Sequence, residues 1–162
     1  MLPLLLLLFT PAGITTSEWV HDWEIQRDFT LAVAEKMPAK DYDFQATPEE
    51  MSFGRMMVHI ANSIAFRFEQ ISGEKARLIT DPPYDKPTVL KFVRESFDYV
   101  IRVLPKIPED KLAANYDVNW EGRKEATGHQ INLAMLVHTA HHRAQLEVYL
   151  RLKGIEPPIY TF

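Results

Sequence analysis

The sequence predicts an all-α protein, a four-helix bundle with a long connection between helices 3 and 4. Three observations predict it. Apolar residues recur every three or four positions in four separate stretches, the period of a helix with one buried face. Those stretches are bounded by N-terminal caps and by Pro or Gly stops. Strand-like character is confined to one short segment around a turn, so no sheet competes for the core. With 162 residues, 46% hydrophobic and 25% charged, the chain has the size and composition of one soluble globular domain. We divide it into residues 1–16, a Leu-rich segment with a capping turn, and a single bundle domain over 17–162.

Residues 2–9 are almost pure leucine, too short a run to span a bilayer, so no integral membrane span is expected. The run resembles the apolar part of a secretory signal, with small residues for cleavage after Ala12, but no Lys or Arg precedes it. A cytoplasmic protein is therefore favoured over a secreted or periplasmic one, which would need residues 1–12 to act as that signal.

The first helix opens at the capping box Thr15-x-x-Glu18 and runs to about Met37, where Pro38 stops it. Trp19, Trp23, Gln26, Thr30, Val33 and Met37 mark its inner face, and the two tryptophans suit a core or a dimer interface. The second helix is expected to start at Thr47 as N-cap, with Pro48 at the first helical position and Glu50 completing the box. Its stripe is Phe53, Met57, Ile60, Ile64, Phe68 and Ile71, and Gly73 ends it. A rigid Asp-Pro-Pro-Tyr connector at 81–84 leads to a third helix from Pro87, with Val89, Val93, Phe97, Val100 and Leu104 inward and Pro105 as the stop. Residues 106–126 keep no period; one helical turn is expected at 108–112 and a turn at 120–123, inside a short hairpin. The last helix opens at the box Thr127-x-x-Gln130 and continues through Ile131, Ala134, Met135, His138, Leu146 and Tyr149 to Leu152, with Gly154 closing it. At about 1.5 Å per residue it is close to 40 Å long.

Composition excludes several classes of function. A net charge of −4 offers no basic excess to bind phosphates, so no nucleic-acid partner is expected. The absence of cysteine removes disulfides, thiolate metal sites and a cysteine nucleophile.

Chemistry concentrates in 137–146, V-H-T-A-H-H-R-A-Q-L. His138 and His142 lie about 40° apart on one helical face, the spacing at which two imidazoles hold one ion. Gln145 and Tyr149 share that sector, His141 lies on its flank and Arg143 points away. The zinc-protease pattern needs a Glu where Thr139 stands, which excludes that reading. His59, mid-helix in the second helix, supplies a third imidazole, giving an open centre with room for water or substrate. Imidazole suits zinc, nickel, copper or iron. Asn62 and Ser63, one turn beyond His59, and Gln145 are candidate substrate-binding residues. Arg143 reads as a structural anchor with an acidic partner, and His21 and His129 have no constellation around them. A haem site is disfavoured, because three clustered imidazoles suit a small ion.

A mid-helix His59 combined with H-T-A-H-H-R-A-Q-L resembles the DinB-like (DinB/YfiT) family of metal-binding four-helix bundles. The resemblance runs from about Trp19 to residues 152–158 and leaves the Leu-rich start outside. It implies His59, His138 and His142 as metal ligands, one divalent ion (nickel or zinc, then iron or manganese), and a homodimer. It further implies a small-molecule substrate and a metal-dependent transferase acting with a low-molecular-weight thiol. The alternatives are a hydrolase or isomerase on the same fold, or a non-enzymatic, stress-associated metal-binding bundle. Any thiol must come from outside the chain, which has none.

Overall fold

A computed structural model describes residues 13–160 apart from 82 and 121. The Leu-rich segment and the cleavage point after Ala12 lie outside the described residues. Helix α1 spans Thr16–Lys36, α2 Phe53–Ser72, α3 Lys86–Val103 and the short α4 Glu109–Ala113. An antiparallel hairpin, β1 Asn115–Trp120 and β2 Arg123–Thr127, leads into α5, Gly128–Leu152. The four long helices form the expected bundle, and the long connection before the last one holds α4 and the hairpin. Among the described residues no helix is long and apolar enough to cross a membrane.

Trp23 ties the bundle together. Its ring, fully buried, meets Phe68 of α2 and Phe97 of α3 edge-on at 5.4 and 5.9 Å. Its indole N–H donates to Asn132 Oδ1 of α5 at 2.8 Å, so one side chain touches three other helices. The stripes expected on α2 and α3 are buried throughout.

Two helix starts follow their local chemistry. Thr15 and Glu18 satisfy one another's backbone N–H at the head of α1, and Thr127 and Gln130 do the same for α5. The second helix does not. It begins at Phe53 behind Ser52, while Thr47 and Glu50 close only a turn, Glu50 N–H donating to Thr47 O at 3.2 Å. The reason is tertiary: the carbonyls of Phe44 and Tyr42 accept from Phe53 and Gly54 N–H at 2.9 and 2.8 Å, capping α2 with incoming backbone. Gly54 is required there. A Cβ at that position would stand 2.5 Å from the Tyr84 carbonyl, where the 73–85 connector crosses the helix.

The inner face of α5 is more polar than its periodicity suggests. Asn132, Thr139 and Arg143 are buried among Ile131, Met135, Leu146, Tyr149 and Leu150, whereas Leu152, expected inside, is 58% exposed. Arg143 is an anchor, but its partners are neutral. The guanidinium donates to Gln26 Oε1 at 2.6 Å and Thr30 Oγ1 at 3.4 Å, and lies 4.3 Å from the centre of the Phe29 ring. The expected acidic partner is replaced by α1 acceptors and an aromatic face, which together hold a guanidinium in a buried position.

The hairpin is fixed to α2. Arg67 donates to Val118 O at 2.6 Å and stacks beside Trp120, and Gln70 donates to Asp117 O at 2.9 Å. The strand register slips between Asp117 and Trp120, where Asn119 takes a positive φ of 50°.

Candidate metal centre

The bundle brings His59 from the middle of α2 against His138 and His142, one turn apart on α5. Ring centroids are 5.0 Å apart for His59 and His138, 4.7 Å for His59 and His142, and 4.5 Å for His138 and His142. One nitrogen of each ring lies within 4.8 Å of the other two. The Nε2 atoms of His59 and His138 are 3.1 Å apart. Two nitrogens held about 2.05 Å from a tetrahedral ion stand about 3.3 Å apart, so this separation fits a shared cation. No acidic side chain joins the cluster among the described residues. Three neutral nitrogen donors converging from two helices fit a divalent ion with a coordination position left over.

The surroundings keep these rings neutral. Burial, then His142, His59 and His141, push the His138 imidazole down to about 4 from its ordinary 6.5. Burial, followed by His142 and Arg55, lowers His59 as well. Burial also lowers His142, with Gln145 and Glu50 pulling the other way and His141 adding to the fall. Uncharged imidazoles present lone pairs at neutral pH, the state a metal requires.

The remaining predicted residues take distinct places. His142 Nδ1 and Gln145 Oε1 are 2.7 Å apart, a pairing that puts the proton on Nδ1 and leaves Nε2 free to face the other rings. His138 Nδ1 is buried with no hydrogen-bond partner. Both ends of the Asn62 amide engage Ile79, donating to its carbonyl at 2.6 Å and accepting from its N–H at 2.9 Å. Asn62 thus clamps the connector over α2 one turn from His59. Ser63 is half-buried and lines neither groove beside the triad. His141 is exposed on the flank, its ring 4.9 Å from that of His142. Thr139, at the position a protease would give to Glu, is fully buried in the core.

Two separate grooves reach the triad. One, of about 240 Å³, exposes His59 between Arg55, Asn62, Thr80 and Tyr84. The other, of about 620 Å³, exposes His138 beside Leu133, Val137, His141 and Arg123. Sequence reasoning missed both Arg55 and Arg123. Arg55 is one turn before His59, a local signal that was available; Arg123 reaches the site only through the fold of the hairpin.

The sequence profile of the DinB superfamily matches residues 22–146, a span that contains all three histidines. An uncharacterised Bacillus subtilis protein, YjoA, is 24% identical over 136 residues, covering 83% of this chain and 88% of its own. The crystal structure of YjoA superposes with a TM-score of 0.70 at 25% identity, over 89% of this chain and 97% of that one. A DinB-like protein from Bacillus cereus gives a TM-score of 0.76 at 17% identity, over 90% and 97%. YfiT from Bacillus subtilis, described as a probable metal-dependent hydrolase with an unusual four-helix bundle topology, gives 0.66 at 14% identity, over 91% and 95%. The chain belongs to the DinB superfamily.

Proposed function

We propose that the protein binds one divalent metal ion through His59, His138 and His142 and uses it to transfer a low-molecular-weight thiol to an electrophile: the new bond to sulfur replaces the bond to the electrophile's leaving group, which departs with its electron pair, and the thiol proton goes to solvent. The observation that carries this reading is the convergence of three imidazoles from two helices with no fourth protein ligand among the described residues. An ion held there supplies a Lewis acid that lowers the pKa of a bound thiol. Imidazole donors suit zinc, nickel, copper or iron; from the family resemblance the ion is taken as nickel or zinc, with iron and manganese as the other options. The chain's own part is to hold the donor nitrogens neutral and aimed: burial does the first, and the Gln145 contact to His142 Nδ1 does the second. Two grooves that share no lining residue support a reaction with two organic partners, one entering beside His59 and one beside His138. Asn62 acts on the first groove through the connector it clamps, and the thiol, smaller and more polar, is assigned to that side.

The test uses cobalt-substituted protein. Addition of a small thiol is expected to shift the visible spectrum in wild type and not in His142→Ala; a spectrum indifferent to every thiol tried favours a non-enzymatic metal-binding bundle. A second reading, metal-dependent hydrolysis, is favoured by the description of YfiT. Product analysis separates the two, since a transferase consumes thiol stoichiometrically and a hydrolase consumes none. For the homodimer, exposed Val148 and Leu152 on the second half of α5 are the proposed contact.

A further inference from the structure

The face of α5 that runs from His138 back toward the hairpin is apolar yet open. Leu133 and Val137 are 53% and 62% exposed. With Ala134 and His141 they wall the groove of about 620 Å³, a volume within the roughly 300–1,000 Å³ typical of small-molecule sites. The same groove is lined by His138, a member of the triad, and by Gln130 and Arg123. The Arg123 guanidinium has no carboxylate partner among the described residues. An apolar wall beside an unneutralised guanidinium is complementary to an amphipathic anion, because Arg offers a planar pair of donors to carboxylate or phosphate.

From this geometry, and resting on the proposed chemistry at the triad, we infer that the groove selects the electrophilic substrate. That substrate is an amphipathic anion, with a carboxylate or phosphate on Arg123 and an apolar chain or ring along Leu133 and Val137. Its reactive atom sits at the triad, beside His138. Arg123 is then a specificity residue. It touches the anionic group of the substrate and leaves the reacting atoms to the histidines.

Isothermal titration calorimetry of the full, metal-loaded chain with octanoate, octyl phosphate and neutral octanamide, each below its micellar concentration, tests the inference. The anionic probes are expected to bind about tenfold tighter than octanamide, the worth of one charge-assisted contact, and the tighter of the two anions names the headgroup class. Arg123→Gln should reduce that preference to about twofold or less, and Arg123→Lys should restore part of it. His142→Ala, which is expected to hold no metal but leaves every lining residue of this groove in place, should keep the preference. Equal binding of charged and neutral probes, a preference that survives Arg123→Gln, or no binding of any probe overturns the inference. So does loss of the preference in His142→Ala, which would put the headgroup on the metal. A dimer split by Val137→Asp in a protein that binds no probe would instead make this face an interface between two copies. Failure of metal binding by itself would sink the proposed chemistry while leaving these titrations readable.

Discussion

His142, a proposed metal ligand, is held in place by a residue three positions away. Gln145 pairs with its Nδ1 at 2.7 Å, which fixes both the tautomer and the ring plane. Gln145→Leu is therefore expected to lower metal affinity about 10–100-fold with the fold retained, and Gln145→Glu, which keeps the acceptor, to lose less. Competition with a chelator of known affinity measures the difference. His138 sets the acid limit. Its imidazole is depressed to about 4 in the folded protein against an ordinary 6.5, so between those values the unfolded chain binds a proton that the folded chain refuses. The resulting stabilisation of the metal-free protein is fully present above about pH 6.5 and is lost as pH falls through about 4. It amounts to no more than about 3 kcal/mol. Denaturation of metal-free wild type and His138→Gln across that window should show a steeper acid loss in wild type; parallel curves would contradict the assignment. The pairing of His138 with His142 was legible in the sequence, because i,i+4 spacing on a helix is local geometry. Asn62 was legible only as a neighbour of His59. That its amide closes on Ile79 depends on how a connector folds back, and no local pattern encodes that.

At the scale of the elements, caps that act within one turn were readable and caps supplied from a distance were not. Thr15 and Thr127 close capping boxes that depend on a four-residue pattern. Thr127→Ala should cost about 1 kcal/mol, read as a lower midpoint in urea, and should leave the histidine triad, more than two turns away, intact. Thr47 carries the same pattern but loses to the carbonyls of Tyr42 and Phe44, which reach the head of α2 first. The hairpin was legible as a turn, whereas its docking was not. Arg67 and Gln70 hold it through backbone carbonyls, which carry no side-chain signature, and only the Arg67 contact with Trp120 uses a hairpin side chain. Arg67→Ala should leave the bundle folded and raise amide exchange selectively in Asn115–Trp120 and Arg123–Thr127. Unchanged protection there would show that strand pairing alone holds the hairpin.

The whole molecule is a bundle whose central knot and functional centre are built by the same helices. Trp23 gathers α2, α3 and α5 through two ring contacts and one hydrogen bond. Trp23→Phe leaves buried Asn132 without its donor and should cost about 1–3 kcal/mol, a loss measurable by denaturation. The four-helix count was readable from periodicity, because an apolar stripe needs only the residues of its own helix. The polar inner face of α5 was not, since Asn132 and Arg143 are tolerated there by partners on other helices, while the buried Thr139 hydroxyl has no hydrogen-bond partner. His59 and its α5 partners, 79 positions apart for the shortest contact, meet only because the bundle closes. The central claim is that this meeting makes a metal site. Elemental analysis of untagged protein, purified without chelators and then dialysed against limiting divalent metal, tests it most directly. About one ion per chain is expected for wild type, as a three-imidazole centre would hold, and essentially none for His138→Ala or His142→Ala. A wild-type protein that takes up no ion, or variants that keep the full complement, would contradict the account.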